Sequence, residues 1–312
     1  MRLKKPQALV RGDTIAVIRP SSRLDTANFQ KTLETVRRAG FCVAVYEAVG
    51  SSRGKADSFF AAPDEWRSAE WDWAMRSPGI RAVLAARGGY GIQRTLAPFS
   101  APKILAKIKR DWIPKIIVGY SDFTFAHQWL QNRLGWMSFH GPLVGMLNEH
   151  SIHYLLEQLL ALSQRQEPWH FSKRASIGGN TKVEGILVGG NLSLLQTTGI
   201  AALPRESIIL ALEDVNESFY RLDRMIMNLW YAGYADHVRG IVLGTFEGCG
   251  KADAKTFQWK RVCESLKRLT SGPIVHVPVF GHGLKEQKLL PLGMRVRLQS
   301  SSLQFLESWT AS

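Results

Sequence analysis

At residues 116–127 the chain reads IIVGYSDFTFAH, an apolar run that leads through Gly-x-Ser directly into an amphipathic stretch. The apolar residues predict a buried β-strand, and the residues after Asp122 predict a helix. A serine on a tight turn between a strand and a helix is typical of a nucleophile elbow, where the turn exposes the hydroxyl and the next backbone N–H faces the same space. A simpler interpretation is also open, in which Ser121 or Asp122 only caps the helix. The stretch predicts an α/β fold and makes Ser121 a candidate nucleophile.

The sequence before this stretch repeats the alternation of short apolar runs and amphipathic segments. Each predicted strand is apolar on both faces and is separated from the next by enough chain for a crossover helix, which is typical of a parallel sheet covered on both sides. We therefore predict a doubly wound, mostly parallel α/β domain of the flavodoxin or Rossmann kind. Its predicted strands are Thr14–Ile18, Phe41–Tyr46, Arg81–Ala86 and Lys115–Val118, and its predicted helices include Phe29 to Val36 and Asp64 to Met75.

A polar segment without sustained periodicity, residues 164–183, is predicted to be a linker. It separates an N-terminal domain, 1–163, from a smaller mixed α/β domain, 184–312. The predicted strands of the second domain are Gly185–Val188, Ile208–Leu212, Gly240–Leu243, Pro273–Val277, Met294–Leu298 and Leu303–Leu306, with helices near 191–198, 221–232 and 254–268.

The composition of the 312-residue chain is that of an ordinary globular protein, with 45% hydrophobic and 21% charged residues. Its net charge of +14 favours anionic partners: nucleic acid, an anionic lipid surface or a small polycarboxylate substrate. Three cysteines without a CxxC pair argue against a disulfide framework and a cysteine-based zinc site. The N-terminus lacks the apolar core of a signal peptide, and no run of about 18 apolar residues occurs. We expect a soluble, cytoplasmic protein.

A glycine-rich stretch, Arg87-Gly88-Gly89-Tyr90-Gly91, follows the third predicted strand, at the edge where open α/β sheets bind ligands. Three glycines in five residues allow backbone N–H groups to approach a ligand closely, as in an oxyanion hole or an anion-binding nest. The spacing fits neither a Walker A loop nor a dinucleotide fingerprint. A plain tight turn is the alternative.

A serine nucleophile needs a histidine base and a carboxylate that orients it. Among eight histidines, only His282 lies between two glycines, in a loop that permits a projecting side chain, although a solvated loop histidine is the simpler interpretation. The acidic cluster at 212–217 follows an apolar strand, and helix capping explains Asp214 or Glu217 better than it explains Glu213. His150 and His153 are three residues apart without a carboxylate cluster, so no metal site is predicted.

The motifs, in this order, resemble those of the LD-carboxypeptidase family, serine peptidases that trim murein peptides, with the microcin C self-immunity peptidases as close relatives. The resemblance spans nearly the whole chain. It rests on Gly12-Asp13-Thr14, Pro20-Ser21-Ser22, Arg87 to Gly91, Gly119 to Thr124, His140-Gly141-Pro142, Glu184-Gly185, Gly189 to Leu192, Leu212 to Asp214 with Glu217, Arg221 with Asp223-Arg224, Gly281-His282 and Leu290 to Gly293.

The resemblance implies a Ser-Glu-His triad in a cleft between the two domains. Ser121 would be the nucleophile, His282 the general base and then acid, and Glu213 the residue that orients the imidazole. The backbone N–H groups of Asp122 and of Gly89 or its neighbour Gly88 would form the oxyanion hole. The implied enzyme uses no cofactor and no metal, and the family implies a homodimer.

Three further residues are predicted to bind substrate: Arg87, Tyr90 and Asn191. Arg87 adjoins the glycine loop, and its guanidinium could pair with the terminal carboxylate of a peptide; the alternative is that it holds the loop in place. One departure from the family pattern is Arg19, where relatives carry a small residue; it either adds charge to the cleft or covers the sheet edge.

The resemblance implies a carboxypeptidase that releases the terminal D-alanine of murein tetrapeptides in peptidoglycan recycling, with a small peptide or muropeptide as its only partner and neither nucleic acid nor membrane. Within the same chemistry, the alternative is hydrolysis of a peptide-nucleotide antibiotic. In a different class, the charge is also compatible with an anionic-polymer-binding protein, although no nucleic-acid motif supports this.

Overall fold

Two β-sheets, each covered by helices, organise the chain. The computed structural model describes residues 3–47, 59–164, 166–196 and 206–311. Its helices in the first half are α1 (Thr26–Arg38), α2 (Asp64–Arg76), α3 (Ile92–Leu96), α4 (Pro102–Asp111), α5 (Thr124–Trp129) and α6 (Glu149–Leu160), followed by α7 (Leu192–Leu195), α8 (Phe219–Tyr231) and α9 (Trp259–Leu269). Within these ranges no helix combines the length and apolarity needed to cross a bilayer.

The first sheet has six strands and is parallel except for one edge strand. The strands are β1 (Thr14–Ile18), β2 (Cys42–Ala44), β3 (Ile80–Ala85), β4 (Ile116–Gly119), β5 (Ser138–His140) and β12 (Leu290–Leu292), in the spatial order β12-β5-β4-β3-β1-β2. Helices pack on both faces, because alternate strand residues enter two separate apolar cores. This is the predicted doubly wound domain.

Two helices of this domain begin at side chains that cap their first turn. Asp25 caps α1 by accepting a hydrogen bond from the N–H of Asn28 at 3.0 Å, and Asn148 caps α6 in the same way through Ser151 at 2.9 Å. The predicted apolar face of α1, residues 29–36, is the face that is buried.

The second sheet has eight strands, with a parallel centre and antiparallel edges. Its strands are β6 (Trp169–His170), β7 (Ser176–Gly178), β8 (Val183–Asn191), β9 (Ile208–Val215), β10 (Val238–Glu247), β11 (Ile274–His276), β13 (Arg295–Gln299) and β14 (Ser302–Phe305), in the order β6-β14-β13-β8-β9-β10-β11-β7. The mixed α/β prediction is therefore confirmed. The predicted helix near 191–198 is observed as α7, and the end of that predicted range lies outside the described residues.

The structure corrects the predicted linker. Residues 164–183 contain β6, which pairs with β14, and β7, which pairs with β11, so this segment forms both edges of the second sheet. Strands of two and three residues are too short to show a period in the sequence.

The two sheets also do not correspond to two successive parts of the chain, because a strand from the C-terminal part belongs to the first sheet. After β11 in the second sheet, residues 277–289 form a loop, here called the histidine loop, that leads to β12 in the first sheet. β12 pairs antiparallel with β5, with Leu290 opposite His140 and Leu292 opposite Ser138. The histidine loop thus bridges the two sheets.

Candidate active site

Ser121 lies on a strained turn at the end of β4. It begins a short 3-10 helix that continues into α5, and its φ of 63° lies in the left-handed region that a non-glycine residue rarely adopts. The side chain is only partly buried, whereas the strand before it is fully buried. This is the strand–turn–helix geometry predicted from the sequence; residues 119–124 are called the serine turn below.

A buried histidine supports the serine turn from below. Burial lowers the pKa of His127 to about 4, so its ring is neutral at physiological pH. Nε2–H donates to the Gly119 carbonyl at 2.8 Å, and Nδ1 accepts from the Ser138 hydroxyl at 2.8 Å. His127 therefore fixes the last carbonyl before the turn.

The glycine loop lies directly beside Ser121. A Cβ on Gly88 would be 3.3 Å from the Ser121 Cβ and 3.5 Å from its Oγ, so only a glycine leaves this space open. Gly89 has a φ of 95° and packs against Ser22. Of the predicted contributors to an oxyanion hole, Asp122 follows Ser121 in the chain, Gly88 lies beside it in space, and Gly89 follows Gly88.

Asp122 uses its side chain to hold the neighbouring loops. One carboxylate oxygen accepts from the Ser21 hydroxyl at 2.6 Å and from the Ile92 N–H at 2.9 Å. Burial raises the pKa of Asp122, and these hydrogen bonds oppose the rise. The side chain of Asp122 therefore joins three segments of the chain.

His282 and Glu213 form a close pair from the second half of the chain. His282 Nδ1 donates to Glu213 Oε2 at 2.7 Å, and the His282 backbone N–H lies 3.3 Å from the same oxygen. The Glu213 side chain is 0% exposed and that of His282 is 17% exposed. The bond to Nδ1 sets the tautomer, which leaves Nε2 as the basic nitrogen.

Thr245 and Gly281, which were not among the predicted site residues, hold His282 in place. The Thr245 hydroxyl donates to the His282 carbonyl at 2.7 Å. Gly281 has a φ of 107°, and a Cβ there would meet both Thr245 and Glu213, so the chain approaches the acid more closely than a side chain allows. The Gly-His-Gly pattern was the only sequence signal for this arrangement, and nothing in the sequence pointed to Thr245.

Tyr120 connects the serine turn with the histidine. Its ring centroid lies 4.6 Å from that of His282, and Ser121 follows it directly in the chain. Burial, together with the negative charge of Glu213, raises the pKa of Tyr120. In addition, the Asn191 N–H donates to the Thr124 hydroxyl at 3.0 Å, which joins β8 to α5. Tyr120, the residue before Ser121, thus lies against His282, the partner of Glu213.

Asn191 does not fit its predicted role as a substrate-binding residue. It is 3% exposed, its Oδ1 caps α7 through the Leu194 N–H at 3.3 Å, and its Nδ2 donates to Asp214 at 3.1 Å. Both ends of the side chain are therefore occupied inside the protein. In the sequence, a glycine-rich segment before Asn191 looks the same whether the residue binds a ligand or caps a helix.

Arg87 and Tyr90 are exposed at the rim of the glycine loop. The Arg87 guanidinium donates to the Arg23 carbonyl, a contact that favours the alternative in which this residue holds the loop. Tyr90 is 44% exposed and packs against Phe60, with ring centroids 5.9 Å apart. Binding of substrate by these two side chains stays a prediction.

A buried arginine that sequence reasoning missed joins the loops around the site. Arg67 is 0% exposed, and its Nη1 donates to the Pro20 carbonyl at 2.6 Å, the Gly91 carbonyl at 2.9 Å and the Thr95 hydroxyl at 2.6 Å. The only signal was a basic residue on the apolar side of α2.

Arg19 covers the sheet and adds no free charge to the site. It forms a salt bridge of 3.0 Å with the buried Glu70 and lies 4.5 Å above the ring of Trp66. Burial raises the pKa of Glu70, and Arg19 opposes that rise. Of the two interpretations from the sequence, the structure supports the second.

No group of three or more metal-ligating side chains occurs in the described parts of the chain. His150 pairs with Glu286 at 2.8 Å, and His153 lies 3.9 Å from Glu149, both at the surface. Each of these two histidines is thus paired with a glutamate.

Comparison with known proteins identifies the family of the chain. Residues 15–141 match the LD-carboxypeptidase N-terminal domain, and residues 184–298 match the LD-carboxypeptidase C-terminal domain. The fold and these two matches define a two-domain α/β peptidase. The chain belongs to the LD-carboxypeptidase family.

Two curated proteins and one solved structure illustrate the similarity. A probable murein peptide carboxypeptidase of Bacillus subtilis is 31% identical over 308 residues, which cover 95% of this chain and 92% of that protein. The microcin C7 self-immunity protein MccF of Escherichia coli is 25% identical over 293 residues, 82% of each chain. The crystal structure of muramoyltetrapeptide carboxypeptidase from Oxalobacter formigenes superimposes with a TM-score of 0.75 at 26% identity, covering 93% of this chain and 97% of that one.

Proposed function

We propose that this protein is a serine carboxypeptidase that hydrolyses the LD-peptide bond to the terminal D-alanine of murein tetrapeptides. The observation that carries the proposal is the His282–Glu213 hydrogen bond of 2.7 Å, held against Tyr120 next to a strained, accessible Ser121. A carboxylate, an imidazole and a serine on such a turn are the parts that acyl transfer requires.

In the proposed acylation step, Ser121 Oγ attacks the scissile carbonyl carbon and His282 Nε2 takes its proton. The N–H groups of Asp122 and of Gly89 or Gly88 stabilise the negative charge that develops on the carbonyl oxygen. The C–N bond then breaks, and the departing amino group takes the proton from Nε2. Glu213 stabilises the imidazolium that exists between these two transfers.

Deacylation repeats the same steps with water. Nε2 accepts a proton from the water molecule, whose oxygen bonds to the acyl carbon, and the Ser121 hydroxyl is restored when the ester bond breaks. The two proposed steps consume only the peptide and one water molecule, so the proposed reaction involves no cofactor or metal.

The proposed substrate follows from the family and from charge. Relatives are named murein peptide carboxypeptidases, and a chain with a net charge of +14 suits a peptide that carries several carboxylates. A cytoplasmic location and a homodimeric assembly are part of the same proposal, and fractionation of the native host and light scattering of the purified protein test them.

A second candidate function is hydrolysis of a peptide-nucleotide antibiotic of the microcin C type. The similarity to the self-immunity protein over 82% of the chain favours it as the alternative. It uses the same serine chemistry on a different leaving group. Binding of an anionic polymer is a third possibility, and it predicts an affinity that falls steeply with salt.

The deciding experiment incubates the purified protein with a panel of defined substrates and identifies the products by mass spectrometry. The panel contains free tetrapeptides with diaminopimelate or lysine at the third position, the sugar-linked muropeptide and a peptide-nucleotide. We expect loss of one alanine from the tetrapeptides, unchanged in EDTA. Cleavage of the peptide-nucleotide alone overturns the murein assignment, and loss of activity in EDTA that zinc restores overturns the metal-free mechanism.

A further inference from the structure

Two backbone hydrogen bonds shape the histidine loop: one anchors its start to β10, and one joins its two ends. Its first residue, Val277, donates to the Leu243 carbonyl of β10 at 2.7 Å, and the Lys288 N–H donates to the Val279 carbonyl at 2.8 Å. This bond closes a ring of chain that contains His282. The first end of the loop is therefore held by the second sheet, through β10 and Thr245.

The other end of the loop is held by a side chain from the opposite half of the protein. Gln158 of α6 donates from Nε2 to the Gln287 carbonyl at 2.9 Å and accepts from the Leu289 N–H at its Oε1 at 3.0 Å. One primary amide thus pairs with the backbone on both sides of Lys288. These partners are separated from Gln158 by 129 and 131 positions in sequence.

Gln287, whose carbonyl accepts a hydrogen bond from Gln158, lies near the proposed catalytic residues. Gln287 is 3% exposed, and its side chain opposes the rise in the pKa of Tyr120. The ring of Tyr120 lies against His282. Two residues of the histidine loop, Gln287 and His282, therefore lie beside Tyr120, which precedes Ser121 in the chain.

We propose that Gln158 is a positioning residue for His282: its amide fixes the histidine loop onto the domain that carries Ser121, and so sets the distance between base and nucleophile. The inference rests on the proposed function, in which His282 is the base. Reaction geometry displaced by about 1 Å costs up to about 10²-fold in rate, so a residue without contact to the substrate is able to control turnover.

Two variants of Gln158 separate positioning from general support. Gln158→Met keeps the length of the side chain and removes both hydrogen bonds. Gln158→Glu keeps the acceptor for Leu289 and places a carboxylate oxygen against the Gln287 carbonyl, so it reports on the loop even where the methionine variant folds poorly.

The matched control is Gln166→Met. Gln166 also donates from its amide to backbone carbonyls, those of Ala161 at 2.6 Å and Gln164 at 3.2 Å, but both partners are local and neither is in the histidine loop. The control removes similar bonds with no path to His282.

Two rates are measured: turnover of the tetrapeptide, and inactivation by diisopropyl fluorophosphate, which reports the reactivity of Ser121 without any peptide. For both Gln158 variants we expect kcat and the inactivation rate to fall together by about tenfold or more, with KM within about twofold of wild type. Gln166→Met should keep both rates, and melting curves should show all the variants folded at the assay temperature.

An unchanged inactivation rate in folded Gln158 variants overturns the inference, and so does an equal loss in Gln166→Met. A wild-type protein that releases no D-alanine overturns the proposed substrate alone, because the reaction with the fluorophosphate still tests the loop. A rise in KM without a change in kcat would mean that Gln158 shapes the peptide-binding surface and leaves His282 where it is.

Discussion

The carbonyl of Gly119, at the start of the serine turn, is fixed by a residue close to it in sequence, whereas His282 is fixed by residues far from it. His127 holds the Gly119 carbonyl across 8 positions and bonds to Ser138 across 11. His282 bonds to Glu213 across 69 positions and to Thr245 across 37. The start of the serine turn can thus form within one short segment, although Asp122 and Thr124 also bond to partners 101 and 67 positions away. The bonds that hold His282 all join distant segments.

The largest effect in this comparison is expected at the serine turn. Ser121→Ala removes the attacking oxygen and should lower kcat by about 10⁴–10⁶-fold with little change in melting temperature, because the strained backbone and its supports stay. Product release measured by mass spectrometry checks this, with the exposed Ser100→Ala as the control. A Ser121→Ala protein with a tenth of wild-type turnover would refute the assignment.

The next largest effect is expected at the acid that serves the histidine loop. Glu213→Gln keeps the size of the side chain but removes the charge that sets the tautomer and stabilises the imidazolium, and kcat should fall by about 10³–10⁴-fold. Glu217→Gln is the control, since Glu217 belongs to the same acidic cluster and pairs with Arg221 at 2.9 Å. Equal losses in the two variants would show that the cluster acts through its total charge.

Acid should weaken the serine turn through His127. Its folded-state pKa of about 4 lies below the ordinary value of 6.5, so the unfolded chain binds more protons between these values, and stability is lost as pH falls through this window. From pH 7 to pH 5 this amounts to about 2 kcal/mol in the free energy of unfolding. Urea unfolding at both pH values, in wild type and in His127→Gln, measures it; the same pH dependence in both proteins would assign the effect to other groups.

The smallest expected effect is at the rim, with Arg87→Lys. Because the guanidinium already donates to the Arg23 carbonyl, we expect a loss of about tenfold or less in kcat/KM, equal for a tetrapeptide and for its C-terminally amidated form. Measuring both substrates with both proteins decides the role. A defect that shrinks on the amidated peptide would show that Arg87 binds the terminal carboxylate.

The sequence predicted the parts whose structure is local. Residues 116–127 predicted a strand, a tight turn and a helix, and all three are observed, because each depends on the residue pattern of its own segment. The same holds for β1, predicted and observed at Thr14–Ile18.

What the sequence did not predict depends on pairing across the chain. β6 and β7 exist because β14 and β11 offer them edges, and their own residues read as a polar linker. Asn191 has the sequence context of a ligand-binding residue, but Asp214 and the start of α7 occupy its side chain. Gln158 was not singled out, because a glutamine on a helix carries no signal until the loop it holds is known.

β12 is the last strand of the first sheet to be synthesised. During synthesis the five strands from β1 to β5 leave the ribosome first, but β5 keeps an unpaired edge until residues 290–292 have been made. The last strand of the first sheet thus arrives together with the loop that carries His282. A chain that ends before residue 290 lacks this strand, and one that ends before residue 282 also lacks the proposed base.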